Sequence, residues 1–410
     1  MIGSGWTLLI TGAVWVLFSY NAVRPHYRRA LFAAASFFAG WLRAELALHV
    51  LLFETLLFGV LVWHGAMRSW PGGVGVVLYA TSMALQILSL RKSFVSGSVI
   101  DAALAGFGDG DVGPKRLPWR LLLFPFLMRQ PNVERLRNRV YYEDGDVRLH
   151  VDIYRRRSDG SAPPPKGRPA LLFMHGGAWM IGSKTFQGLP MLQHFAALGW
   201  VCFSINYRLS PRATFPDHII DVKRAIAWVR AHAAEHGVDP GFVVVSGNSA
   251  GGHLASLAAL TPNEASLQPG FEDADTSLAA CFSFYGVYDF ADQFAHWHNR
   301  GLQSLLERYV MKARLADARA RFVAASPLSH VGPQAPPFLV VHGDRDSIVP
   351  VAEARAFVAA LRRATAAACV YIEVPGAQHA FEVFPSVRTV HLMRGLERFA
   401  LHVHRQYLAP

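Results

Sequence analysis

Gly247-Asn248-Ser249-Ala250-Gly251, closed by Gly252-His253, separates two kinds of pattern. Ahead of it runs Phe242-Val243-Val244-Val245-Ser246, a short valine-rich run, and behind it Leu254-Ala255-Ser256-Leu257-Ala258-Ala259-Leu260, which has helical composition. A strand that turns this sharply into a helix puts Ser249 at the apex, because glycine best tolerates the backbone and the crowding on either side. The hydroxyl then stands above the strand ends. The free amides at the start of the helix, Ala250's first, face the place where an oxyanion would form.

The alternation extends in both directions. Val140-Tyr141-Tyr142 and Leu149–Tyr154 read as an antiparallel pair around Asp144-Gly145, and the turn-rich Ser161–Pro169 leads into a buried strand, Ala170–Met174. Helix 184–197, strand 201–205, helix 216–235 and strand 242–246 follow, then strands 279–284 and 337–341, helix 351–363, strand 369–374 and helix 386–405. Repeated strand and helix units predict an α/β domain over residues 136–410, with a mostly parallel central sheet covered by helices on both faces. Chemistry in such a sheet sits on loops at the carboxyl ends of strands.

Three such loops complete a constellation around Ser249. His175-Gly176-Gly177-Ala178-Trp179 follows a strand directly, and its small residues let a carbonyl oxygen come within about 3 Å of the amides of Gly176, Gly177 and Ala178. Val340-Val341-His342-Gly343-Asp344-Arg345-Asp346-Ser347 offers two carboxylates. Asp344 follows the strand immediately and reads as shaping the turn or pairing with Arg345, so Asp346 is the candidate acid. Eighteen histidines make coincidence cheap. His26, His49 and His298 read as structural or interfacial, and His391 and His404 as surface positions on the last helix. His379, in Ala377-Gln378-His379-Ala380-Phe381, lies after the final strand, where it can bridge Ser249 and Asp346. The order serine, aspartate, histidine predicts acyl transfer: Ser249 as nucleophile, His379 as base, Asp346 as orienting acid, and Gly176, Gly177, Ala178 and Ala250 as the oxyanion hole.

The 410 residues leave room for two or three domains, and 52% hydrophobic content is high for a purely soluble chain. The excess sits in the first ninety residues. A net charge of +11 comes from scattered arginines and not from a basic block interleaved with aromatics, which favours anionic lipid over nucleic acid. Cys202, Cys281 and Cys369 have no metal-ligand spacing and read as buried thiols. No metal or cofactor is expected.

Trp6–Tyr20 is apolar but lacks the basic lead and cleavage site of a signal peptide. Arg24, His26, Arg28 and Arg29 follow it. Ala30–Ala66, roughly 37 residues, would span about 55 Å as helix against about 30 Å of hydrocarbon, and it carries Arg43, Glu45, His49 and Glu54. Arg43 and Glu45 mark an interfacial break between helices at 30–42 and 47–66. A third tract, Gly73–Leu90, ends at Arg91-Lys92. Three or four membrane helices are therefore expected within residues 1–92, the alternative being a helical cap on a soluble domain. Basic residues after the first and last helices put both loops in the cytoplasm if an even number of crossings separates them. Residues 93–135 read as a junction, with Gly106–Pro114 a flexible linker and not a phosphate or calcium loop. Leu121–Leu127 lies against the membrane or the catalytic domain.

Residues 136–405 resemble the hormone-sensitive-lipase-like group of α/β-hydrolase esterases, through the loop at 175–179 and the elbow at 247–252. Ser204–Pro211, Pro216–Ala225 and Phe284–Phe290 are similar to mycobacterial membrane-associated carboxylesterases, which also carry apolar helices ahead of the hydrolase domain. The resemblance implies cofactor-free hydrolysis of carboxylic esters and leaves the natural substrate open; small-molecule or lipid-derived esters of short to medium acyl chain, at a bacterial cell membrane, are the expectation, with the oligomeric state open. Ala178 stands where many members have a third glycine, and His-Gly-Asp-Arg-Asp lacks an acidic residue that many carry after the aspartate. His175–Gly182 is also similar to prenylcysteine methylesterases. An acyltransferase using the same triad, and a non-catalytic membrane scaffold, are the competing functions. Phe284–Phe290 and Phe294–His298 are aromatic enough to line an acyl channel.

Overall fold

The computed structural model describes residues 3–108, 117–158 and 164–409. Most of the linker expected at Gly106–Pro114, and the start of the turn at Ser161–Pro169, lie outside the described residues.

The chain opens with four apolar helices, α1 (Ser4–Val23), α2 (Ala30–Glu45), α3 (Ala47–Trp63) and α4 (Trp70–Ala103). Helices α1 and α4 run parallel and close together. A Cβ added at Gly12 would lie 2.9 Å from that of Leu78, and one at Gly75 would lie 2.7 Å from the carbonyl carbon of Leu8. Small residues admit this approach where apolar side chains alone would hold helices apart. Helices α2 and α3 meet at Leu46 with a bend of 88°. The break falls where Arg43 and Glu45 predict it, since the two side chains leave in opposite directions. Arg43 pairs with Glu54 of α3 and donates to Ser19 Oγ at 2.8 Å, while Glu45 turns to Arg388 at 2.8 Å. Helices α1 and α4 are each long and apolar enough to cross a bilayer, and the bent pair adds a third crossing when counted as one span.

The third apolar tract does not stop at Arg91-Lys92. Helix α4 continues to Ala103, three turns into the stretch read as a junction. Two basic residues do not terminate a helix, and Ser93, Ser96 and Ile100 are buried on its inner face. After the short α5 (Trp119–Leu123) the first strand starts at Val133, a little ahead of the expected boundary.

The α/β part follows in the order β1 (Val133–Asp144), β2 (Val147–Arg156), β3 (Arg168–Met174), α6 (Leu189–Ala197), β4 (Val201–Ile205), α7 (Asp217–Ala231), α8 (Ala233–His236), β5 (Val238–Asn248) and α9 (Ala250–Leu260). Then come β6 (Ala280–Phe284), α10 (Gly301–Leu305), α11 (Arg319–Ala324), β7 (Phe338–Gly343), α12 (Val351–Ala364), β8 (Cys369–Val374) and α13 (Val387–Leu408). The eight strands form one sheet in the order β1-β2-β4-β3-β5-β6-β7-β8. Pairings β1/β2 and β2/β4 are antiparallel and the rest parallel. Strands β4 and β6 are buried at every position, as expected of a sheet covered on both faces. One core fills each face, and Ile100 and Leu104 from the end of α4 belong to the second. Helix α4 thus covers the outer side of α13. His391 and His404, read as surface positions, are half-buried: His391 packs on Gly97 of α4, and His404 joins the rings of Trp200 and Phe242.

Candidate active site

The elbow joins β5 to α9. Ser249 has φ 56° and ψ −120°, a conformation an L-residue holds only under constraint, and its N–H donates to the Phe284 carbonyl at 2.9 Å. The flanking glycines supply the room. A Cβ at Gly247 would strike the Gly251 carbonyl, and one at Gly251 would strike the Met174 carbonyl. Helix α9 begins at Ala250, whose amide is therefore one of the helix's unpaired donors.

Loops after β7 and β8 bring Asp346 and His379 to the same place. His379 Nε2 lies 2.9 Å from Ser249 Oγ, and His379 Nδ1 lies 2.6 Å from Asp346 Oδ2. Asp346 Oδ1 accepts the amides of Ile348 and Val349, both at 2.8 Å. Burial by itself would raise this carboxyl, but His379 and then His342 outweigh it and hold it well below the usual carboxylate range. Asp344 points elsewhere, accepting the Gly376 amide at 2.6 Å beside Arg345.

Two further side chains support Asp346 and His379, His342 from the end of β7 and Gln378 between the two loops, and sequence reasoning passed over both. His342 Nε2 lies 3.2 Å from Asp346 Oδ2 and 3.0 Å from the Val349 carbonyl. The Gln378 side chain accepts the amides of Ser347 at 2.7 Å and of His379 at 2.9 Å. His342 stands near the end of β7, four residues before Asp346, which is the one signal that could have drawn notice.

The oxyanion loop is folded under strain. Gly177, Ala178 and Trp179 have φ of 120°, 54° and 59°. Gly177 and Ala178 are half-buried, and their N–H groups have no backbone acceptor among the described residues. Gly176 differs from the expectation: its N–H donates to Gln187 Oε1 at 2.7 Å, so it is committed to shaping the loop. Trp179 anchors the far side, donating from Nε1 to His253 Nδ1 at 3.2 Å, while His253 Nε2 meets the Ala325 carbonyl at 2.8 Å. Burial pushes His253 down to about 3, so the ring stays neutral and keeps the lone pair that Trp179 needs.

The aromatic stretches expected to line a channel divide between the core and the edge of a small cavity beside Asp346, which Trp297 and His298 line. Phe284, Tyr288 and Phe290 are core, and Trp297 donates to the buried Glu353 at 2.6 Å. Tyr285 packs 4.4 Å from His379 and bonds to Glu382, which also takes Asn248 Nδ2 at 2.9 Å. The other side of His379 is closed by α2. Phe37 stands edge-on to the imidazole at 6.0 Å, Trp41 Nε1 donates to the Ala380 carbonyl at 2.7 Å, and Ser347 Oγ reaches the Ala33 carbonyl at 3.1 Å.

The BD-FAE family model matches residues 151–361, a range that includes Ser249 and Asp346. "Probable carboxylic ester hydrolase LipM" of Mycobacterium tuberculosis is 40% identical over 97% of this chain and 93% of its own length. "Esterase LipQ" of the same organism is 39% identical over 87% of this chain and 82% of its own. Among solved structures, the native thermophilic esterase of Thermogutta terrifontis matches with a TM-score of 0.54 and 30% identity, over 67% of this chain and 91% of that one. An eight-stranded, mostly parallel sheet with helices on both faces, a strained turn after β5 and these likenesses agree: the chain belongs to the BD-FAE family and is a carboxylic ester hydrolase of the α/β-hydrolase fold.

Proposed function

We propose that Ser249, His379 and Asp346 act as a catalytic triad that hydrolyses carboxylic esters through an acyl-enzyme. The observation that carries this reading is the unbroken hydrogen-bond chain from Ser249 Oγ through both nitrogens of His379 to Asp346. With Nδ1–H donated to Asp346, Nε2 is free to take the hydroxyl proton as Oγ attacks the ester carbonyl. The amides of Gly177, Ala178 and Ala250 receive the oxyanion. His379 then passes its proton to the leaving alcohol, and water, activated by the same nitrogen, releases the acid. The substrates are esters of short to medium acyl chain or lipid-derived esters at the membrane.

The helical region is the membrane section of this reading. Helices α1, α3 and α4 cross, α3 with about 25 Å of helix, and α2 lies at the interface against the catalytic part. Arg24, Arg28 and Arg29 then fall on the same side as Arg91 and Lys92, two crossings apart, which favours the cytoplasm for both and for the hydrolase.

The test is hydrolysis of a p-nitrophenyl ester series by detergent-solubilised wild type and Ser249→Ala. The variant is expected to lose at least about 10⁴-fold in kcat. Turnover close to wild type in Ser249→Ala would sink the triad.

A further inference from the structure

Helix α2 does more than close the site. From the imidazole of His379 a row of rings leads away: Phe37 at 6.0 Å, Trp41 stacked on Phe37 at 5.3 Å, Phe384 stacked on Trp41 at 5.3 Å, and Phe126 edge-on to Phe384 at 5.6 Å. Phe37, Trp41 and Phe384 are half-buried, so one side of the row is open. Phe126 is 70% exposed, in a strap that also exposes Trp119, Leu123, Phe124 and Leu127. Isolated exposed rings are ordinary, but a run of five such side chains following a membrane-type helix marks an apolar surface with a partner. Next to Pro385, which follows Phe384, lies a cavity of about 270 Å³ whose wall is mainly apolar, from Leu121, Met128, Val390 and Met393, with His194, Arg394 and Glu397 among its polar lining.

The row therefore leads from the proposed base to an exposed apolar strap, and the cavity opens alongside its far end, at Leu121 of the strap and Pro385 next to Phe384. Nothing in hydrolysis requires aromatic rings laid end to end. A hydrocarbon chain does gain from them, at about 0.8 kcal/mol for each methylene removed from water. Helix α2 is also held to this position from both sides, by Arg43 in the helical bundle and by Glu45 on Arg388.

We propose that α2 forms the chain-binding wall of the active site. The long acyl chain of a lipid ester enters from the bilayer over the strap, lies along Phe126, Phe384, Trp41 and Phe37, and seats its end in the cavity under Val390. Phe37 and Trp41 are specificity-determining residues. The proposal rests on the triad reading and selects the lipid-derived esters from the substrate classes given there.

The experiment measures kcat/KM for p-nitrophenyl palmitate and p-nitrophenyl butyrate with the full chain in detergent micelles. Val390→Trp, which fills the cavity without touching His379, and Phe37→Ala are each expected to lower the palmitate-to-butyrate ratio on the order of tenfold. Trp41→Phe, which keeps the ring and drops the bond to Ala380, is expected to hold the ratio. Trp63→Ala, at an 88% exposed position on the far end of α3, controls for general loss of apolar surface and should leave the ratio alone. Parallel losses on both esters, an unchanged ratio in both Val390→Trp and Phe37→Ala, or an equal drop in Trp63→Ala would overturn the proposal. Ser249→Ala reports separately: residual turnover there condemns the triad whatever the ratio does.

Discussion

Arg388 of α13 and Glu45 of α2 form an ion pair sealed from solvent on both sides, Nη1 to Oε1 at 2.8 Å. Glu45 Oε2 takes the Ser386 hydroxyl at 2.7 Å, and Arg388 donates to the carbonyls of Pro375 at 3.1 Å and of Ala44 and Ser89 at 3.3 Å. Removing one partner strands the other in a site closed to solvent. Glu45→Ala should cost about 3–5 kcal/mol, while joint replacement by Leu at 45 and Met at 388 should recover most of it. Thermal unfolding in detergent reads both, and an unchanged Tm in Glu45→Ala would show that the pair is idle.

Asp346 takes two imidazoles on one oxygen, which separates two kinds of loss. Asp346→Asn keeps the shape but favours the wrong His379 tautomer, and kcat should fall by about 10⁴-fold. His342→Phe leaves the charge and removes a donor 3.2 Å away, so kcat should fall by up to about 10²-fold with KM little changed. Steady-state kinetics on one soluble ester distinguishes them. Equal losses in the two variants would mean that His342 holds up the fold and not the geometry.

Three buried histidines set the acid limit. Burial lowers His175 and His218 to about 4 and His253 to about 3. Above about pH 6.5 folded and unfolded rings are both neutral, so none of the three changes stability there. As pH falls from about 6.5 to about 4, each unfolded imidazole gains a proton that its folded counterpart refuses. Stability should drop by up to about 1.4 kcal/mol per pH unit for each ring. Urea midpoints at pH 7.5 and 5.0 measure it, and His218→Asn should make the decline shallower.

Trp179→Phe removes the indole donor and leaves His253 Nδ1 buried without a partner. A loss of about 1–3 kcal/mol in stability is expected. Because Trp179 follows Gly177 and Ala178 directly, kcat should fall more than KM rises. A Tm shift without any change in kcat would show that the oxyanion loop keeps its shape unaided.

Much of this arrangement was legible because it is local. Gly247 is demanded by the Gly251 carbonyl within its own turn, the motif carries Gly251 and Gly252 with it although neighbouring strands crowd them, and valine-rich runs such as Val243-Val244-Val245 declare buried strands. Ser249, Asp346 and His379 could be picked out because each follows a strand. Contacts across more than three hundred residues leave no such trace. Phe37 on His379 and Glu45 on Arg388 were hidden because an apolar helix bound for lipid and one bound for a protein surface are written in the same residues. Gly176 misled for a different reason: only the fold shows that Gln187 has taken its amide. The end of α4 was misplaced because Arg91 and Lys92 mark where lipid would stop, not where a helix does.

That helix has a mechanical meaning. Its 34 residues are about 51 Å long, roughly 20 Å more than a bilayer's hydrocarbon, and the surplus is clasped by α13 through Gly97 against His391 and Ile100 against Gly395. The hydrolase is thus mounted on a stiff mast and not hung from a tether. Helix and hydrolase move as one piece, so whatever holds α4 also sets the height and tilt of the site above it.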